Sequence, residues 1–256
     1  MDIYNLRRFK QRVTIDLFPE VDIETITHCN RRCSYCPNSL YDMGLYKNKK
    51  LMDKALFKKI IDELAEIDFN GRIAPHFYGE PLLDNRLADL IDYIREKLPK
   101  SKVIIFTNGD YLTVSLFEKL VGKGVNLFVV TQHGPEMPKN MKLLFDYLKN
   151  NPQKKEYIYY ERYTKKTPMH NRECLVKPEV YYSKPRCKQA YNPLVINHKG
   201  DVILCCNDFH SSFVFGNVKE EKLINIWKSE RYKQIRKELK KGVYRLNICK
   251  KCVENI

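Results

Sequence analysis

Three thiols stand within eight residues, Cys29-Asn-Arg-Arg-Cys33-Ser-Tyr-Cys36, directly after the first strand-like run of the chain. Thiols this dense on a short loop are better suited to a metal than to disulfides, since the chain's nine cysteines cannot all pair and its other features point to a reducing compartment. Met1 to Val13 is basic and lacks an apolar stretch of signal-peptide type, and no run of eighteen uncharged apolar residues occurs, so a cytoplasmic protein with no membrane partner is expected. Three thiolates can hold three irons of a 4Fe-4S cube and leave the fourth open to another ligand. A structural zinc ion would need a fourth donor, for which His28 is the nearby nitrogen.

The rest of the chain supplies a scaffold for that loop. Apolar runs at Val21 to Ile26, Arg72 to Tyr78, Val103 to Thr107, Asn126 to Thr131 and Tyr157 to Tyr160 alternate with stretches of helical period. These are Asp53 to Ile67, Asn85 to Leu98, Thr113 to Val121 and Met137 to Lys149. Repeated β-α order predicts an α/β fold with a parallel sheet. Asn108-Gly109 and His133-Gly134-Pro135 then fall where strand-end loops build ligand sites. Beyond Thr164 prolines interrupt the rhythm, and Leu194 to Asn197, a Lys199-Gly200 turn and Asp201 to Leu204 read as a β-hairpin. Glu221 to Lys241 reads as one helix stopped by Gly242.

The CxxxCxxC spacing, with the aromatic Tyr35 before its last cysteine, resembles the radical S-adenosylmethionine (SAM) superfamily. The resemblance implies that Cys29, Cys33 and Cys36 hold a 4Fe-4S cluster whose open iron chelates the methionine part of SAM, and that reductive cleavage yields a 5'-deoxyadenosyl radical. It also implies a partial (β/α)6 TIM-like barrel, here over residues 1–165. Tyr78-Gly79-Glu80 matches the family's GGE-like motif with Tyr78 in place of a glycine, so Gly79 and Glu80 are expected at the methionine amino group. Asn108 and Gln132 lie where the family contacts the ribose and carboxylate of SAM, and Arg162 is a candidate carboxylate partner because a guanidinium grips a carboxylate bidentately.

Cys187, Cys205, Cys249 and Cys252 form a second set, with Cys249-Lys-Lys-Cys252 near the end of the chain. Four thiolates complete a cluster with no open iron, and four-cysteine zinc would satisfy the same spacing. Beside the first motif they resemble the auxiliary-cluster Twitch domain, a shortened SPASM domain, assigned here to residues 166–256. Two 4Fe-4S clusters and SAM are therefore the implied cofactors, with a flavodoxin- or ferredoxin-type electron donor as the implied partner.

In order and spacing the chain resembles the butirosin-pathway aminocyclitol dehydrogenase type. That type oxidises a secondary alcohol: carbon loses a hydrogen atom to the radical, the hydroxyl loses a proton, and the auxiliary cluster takes the remaining electron. Asn171-Arg172 precedes Cys187 where such enzymes place an arginine near the substrate hydroxyl. Arg172 is expected to orient that hydroxyl, since a guanidinium stays protonated and makes a poor base. Glu173-Cys174 stands where a small residue usually follows. A thiol there could instead return a hydrogen atom to a substrate radical, making Cys174 the donor of an epimerase.

A net charge of +15 raises the local concentration of anions without naming them, and suggests an anionic or nucleotide-linked substrate. Between Lys219 and Lys251 lie twelve basic and four acidic residues, a face that could hold phosphates. Such runs are commonly solvated helix faces, and no RNA-binding module accompanies this one, so tRNA modification ranks below small-molecule chemistry. Peptide modification and a zinc-held binding module are the remaining alternatives.

Overall fold

The protein is described from a computed structural model covering residues 17–41, 45–181 and 187–254. Its frame is one eight-stranded sheet. Strands β1 (Glu20–Ile23), β2 (Arg72–Ala74), β3 (Lys102–Thr107), β4 (Val125–Gln132), β5 (Ile158–Arg162), β6 (Leu194–Ile196), β7 (Asp201–Ile203) and β8 (Val214–Asn217) stand in the order β5-β4-β3-β2-β1-β6-β7-β8. The first six are mutually parallel, and β7 and β8 add antiparallel strands at the far side. The alternation predicted the parallel sheet, and the family resemblance implied its curvature into a partial barrel. The expected hairpin is present as β6 and β7, but β6 is also the sixth parallel strand, docked on β1 through Val21 opposite Leu194 and Ile23 opposite Ile196.

Helices α1 (Lys54–Glu66), α2 (Leu87–Lys97), α3 (Val114–Gly122) and α4 (Lys139–Asn150) follow the first four strands and pack side by side on one face. In α1 the apolar residues Leu56, Phe57, Ile60, Ile61 and Leu64 recur at helical spacing and are all buried. Asp53 caps that helix by accepting from the amides of Ala55 and Leu56, an arrangement whose loss costs about 1 kcal/mol. Thr113 caps α3 in the same way through the amide of Leu116.

Strand alternation splits the buried residues in two. Val21 and Ile23 of β1 and Val103 and Ile105 of β3 join the core beneath the helices. Ile104, Leu127 and Val129 face the other way and pack with Phe106 and Tyr159 as an apolar wall inside the barrel. On β1 the corresponding inward positions are Glu20 and Asp22, so one side of the lumen is polar.

Two boundaries differ from expectation for local reasons. The second strand ends at Ala74 instead of Tyr78, because Pro75 has no amide hydrogen to continue the ladder. The long C-terminal helix is two helices, α5 (Leu223–Lys228) and α6 (Glu230–Lys240). Ser229 breaks it with an extended backbone and caps α6 by accepting from the Tyr232 amide. A last helix, α7 (Asn247–Glu254), carries Cys249 and Cys252. Among the described residues no helix is long and apolar enough to cross a membrane.

Candidate active site

A cavity of about 1050 Å³ opens at the carboxyl ends of the parallel strands. Cys29, Cys33 and Cys36 line it together. Burial pushes the Cys29 thiol up to about 12, with a further rise from its two neighbouring thiols, which places all three in one electrostatic neighbourhood. Among the described residues no three His, Cys, Asp or Glu side chains stand at the spacing of a single metal ion, so the thiols are gathered without closing on one ion. Three soft donors facing an open cavity fit a cluster that leaves one iron to a small-molecule ligand.

The loop bearing these thiols is held from several strands. The Arg31 guanidinium makes a two-bonded fork with Asp110, at 2.7 and 2.6 Å, and the Asn30 amide donates to the same carboxylate at 2.6 Å. The Asn38 side chain donates to the carbonyls of Thr27 and Tyr78. Tyr35 hydrogen-bonds His133 Nδ1 at 2.6 Å and stacks on Tyr163 with ring centres 3.7 Å apart. Sequence reasoning singled out Tyr35 but missed Arg31 and Asp110. Their signal is a charge pair on two loops that both follow parallel strands.

Gly79 and Glu80 also line the cavity. A Cβ on Gly79 would lie 2.1 Å from the Ile26 carbonyl oxygen, so only glycine lets this loop approach the segment that leads from β1 to Cys29. Glu80 accepts from the Thr107 hydroxyl at 2.6 Å, the Asn108 amide at 2.9 Å and the Leu82 amide at 3.1 Å. Burial nevertheless dominates and raises its carboxyl to about 7. Asn108 lines the cavity as expected, its side-chain amide donating to Asn30. Arg162, exposed at the end of β5, lines it as well.

Two expected residues lie elsewhere. Gln132 is absent from the cavity wall, whereas Thr131 and His133 belong to it. Successive strand residues face opposite ways, and the Gln132 amide instead donates to the carbonyls of Gly134 and Pro135 and accepts from the Tyr160 hydroxyl. Cys174 is likewise outside the wall, its sulfur directed to Asn171 and the Lys251 carbonyl. The cavity-lining thiol on that side is Cys206, which donates to Gln189 Oε1 at 3.4 Å.

The second cysteine set assembles from three segments. Cys205 is buried at the end of β7, Cys249 and Cys252 sit one turn apart on α7, and the charge of a Cys187 thiolate is felt by all three. Arg172 stands between the two sets. Its guanidinium donates to Asn207 Oδ1 at 2.9 Å and to the Cys206 carbonyl at 3.3 Å, and favours ionisation of both Cys36 and Cys252. The Tyr78 hydroxyl donates to the same Cys206 carbonyl at 2.9 Å, tying the Gly79-Glu80 loop to the second set. Arg172, Glu173 and Cys174 all have positive φ, a left-handed run that turns the arginine inward.

This architecture is that of a radical SAM enzyme, and the chain belongs to the radical SAM superfamily, whose family model matches residues 23–154. A model for an iron-sulfur cluster-binding domain, SPASM, matches residues 187–253. Its cofactors are accordingly SAM, the 4Fe-4S cluster that binds it, and an auxiliary iron-sulfur cluster. The chain is 34% identical over 239 residues to the S-adenosyl-L-methionine-dependent 2-deoxy-scyllo-inosamine dehydrogenase of Niallia circulans, covering 92% of this chain and 93% of that protein. It superposes on the crystal structure of BtrN in complex with AdoMet and 2-DOIA with a TM-score of 0.83, at 34% identity and with 92% and 93% coverage of the two chains. An open conformation of BtrN gives a TM-score of 0.72 at 31% identity, with 92% of each chain covered.

Proposed function

We propose that this enzyme oxidises a secondary alcohol of an aminocyclitol, or of a closely related amino sugar, to a ketone. The observation that carries the proposal is a single cavity bounded on one side by Cys29, Cys33 and Cys36 and on the other by Arg172 and Cys206, beside the auxiliary thiols. A substrate held there lies between the radical-generating thiols and Cys206, the sequence neighbour of the auxiliary ligand Cys205. Kinship with an inosamine dehydrogenase supports the same reaction class.

When bound, SAM and its cluster supply the deoxyadenosyl radical, and the auxiliary cluster, ligated by Cys187, Cys205, Cys249 and Cys252 as 4Fe-4S, accepts one electron. For the substrate the reaction would remove one hydrogen atom from the carbinol carbon, one proton from its hydroxyl to solvent and one electron, leaving a C=O bond. Residues 1–165 thus bind SAM and residues 166–256 carry the auxiliary cluster, with β6 shared by the sheet of the first part. A flavodoxin- or ferredoxin-type donor supplies the initiating electron.

The chain's own residues bind and orient. Glu80 holds the methionine amino group, with Thr107 and the Asn108 amide fixing the carboxylate, and Tyr35, Asn108 and Arg162 complete the SAM side. Glu80→Gln removes the negative charge and turns a donor toward the Asn108 amide; SAM affinity measured by equilibrium binding is expected to fall by about 30-fold or more. Arg172 directs the substrate hydroxyl. Arg172→Ala is expected to lower ketone formation by about 100-fold while 5'-deoxyadenosine still forms, because misplacement of the reacting carbon uncouples the two products.

The test is anaerobic reconstitution followed by incubation with SAM, dithionite and 2-deoxy-scyllo-inosamine. Ketone and 5'-deoxyadenosine in equal amounts support the reading. Deoxyadenosine without ketone from this or any related aminocyclitol refutes it. A second reading, radical epimerisation, is favoured by the cavity-lining thiol of Cys206, Cys174 not being part of that wall; solvent deuterium found at the carbinol carbon of recovered substrate would select it.

A further inference from the structure

On the polar side of the lumen, one oxygen of a buried carboxyl has no hydrogen-bond partner among the described residues. Asp22 lies on β1, is only 5% exposed, and lines the cavity, yet its Oδ1 has no hydrogen-bond partner. The register explains why. Glu20, two residues earlier, faces Arg72 across the β1-β2 pair and binds its guanidinium. Asp22 faces Ala74 on β2 and Val195 on β6, neither of which carries a donor. Arg172 is engaged by the Cys206 carbonyl and Asn207. The wall also offers Nδ1 of His76, a half-buried ring set edge-on to Phe106 whose Nδ1 has no partner among the described residues.

A buried carboxyl without a partner is costly unless a ligand supplies the missing donor. Burial raises the Asp22 carboxyl well above the usual carboxylate range, with the nearby Glu20 adding to the rise and Arg72 opposing it. A cation in the cavity would reverse that balance. The cavity is therefore asymmetric, with Phe106 and Tyr159 giving it an apolar side and Asp22 on β1 an acid with an unpartnered oxygen.

We propose that Asp22 is the anchor for the substrate's ammonium group and selects amino-bearing cyclitols over their all-hydroxyl analogues. This rests on the aminocyclitol reading and assigns a residue to the choice within it. The +15 resides on the whole chain, whereas the lumen is lined by both signs, Arg31, Arg162 and Arg172 with Glu20, Asp22 and Glu80, and an ammonium group finds its partner at Asp22. His76 offers a neutral ring nitrogen to a neighbouring hydroxyl.

The test compares binding of two compounds to the reconstituted holoenzyme with SAM, by anaerobic calorimetry: 2-deoxy-scyllo-inosamine, and the same ring with a hydroxyl in place of the amine. Wild type is expected to favour the amine by about tenfold or more, as sites built around a specific hydrogen-bonding group discriminate. Asp22→Asn, which keeps the shape of the side chain, is expected to bring the two affinities within about twofold. Iron content and thermal midpoint establish that this variant is folded, and the wild-type comparison stands if it is not. Equal binding of both compounds by wild type overturns the proposal alone, as does a preference that survives in Asp22→Asn. Binding of neither compound by wild type overturns the aminocyclitol reading and this proposal with it.

Discussion

Cys36→Ala is expected to abolish 5'-deoxyadenosine formation and to reduce the iron of the reconstituted protein from about eight to about four per chain. Three thiolates hold three irons of a cube while leaving one iron for SAM, and alanine at position 36 removes one of those donors. The substitution is otherwise mild. The Cys36 amide donates to the Cys33 carbonyl, and the Cys36 carbonyl accepts from the Ser39 amide, so the turn persists with alanine. The Asn38, Arg31 and Tyr35 contacts that hold the loop also remain. Loss of activity with an intact fold then isolates the thiol. Retention of about eight irons and of SAM cleavage would show that the three cysteines do not form the radical-generating site.

The first cysteine motif was legible because its ligands are local: eight residues fix three donors whatever the rest of the chain does. The second set was legible as a ligand inventory but not as a place, since Cys187, Cys205 and α7 meet only through tertiary packing. What sequence spacing does not encode is the direction of a side chain at the end of a strand. Gln132 sits between two cavity residues, and the strand period that turns Thr131 and His133 inward turns Gln132 outward. Cys174 follows Arg172 by two residues, but a left-handed run separates their directions. The bridge from Tyr78 to Cys206 spans 128 positions and leaves no local trace. The sixth parallel strand is only three residues long and leads straight into a turn, so its hairpin partner is visible and its partner in the barrel is not. Asp22 looks like one charged residue in an alternating strand; that it has no donor opposite depends on Ala74 and Val195, which only the register brings beside it.

Cys249→Ala is expected to separate the two halves of the reaction. Iron should again fall from about eight to about four per chain, but now 5'-deoxyadenosine should still form while ketone falls by about 100-fold or more. The separation follows from where the residue lies. Cys249 is on α7 and packs with Cys205, Leu204 and Leu239 in a small cluster of its own, distinct from the core beneath the barrel helices. Its removal leaves the loop of Cys29, Cys33 and Cys36 and the Glu80 carboxylate untouched. Without an acceptor beside the cavity, the substrate radical has no outlet for its last electron and is quenched by other routes, so SAM consumption runs without product. The contrast with Cys36→Ala is the informative part, because both variants lose about the same iron and differ only in which product disappears. If Cys249→Ala loses the iron yet makes ketone at the wild-type rate, the auxiliary cluster is not the electron acceptor. If it loses deoxyadenosine as well, that cluster supports the architecture of the SAM site, and the division of labour between residues 1–165 and 166–256 does not hold.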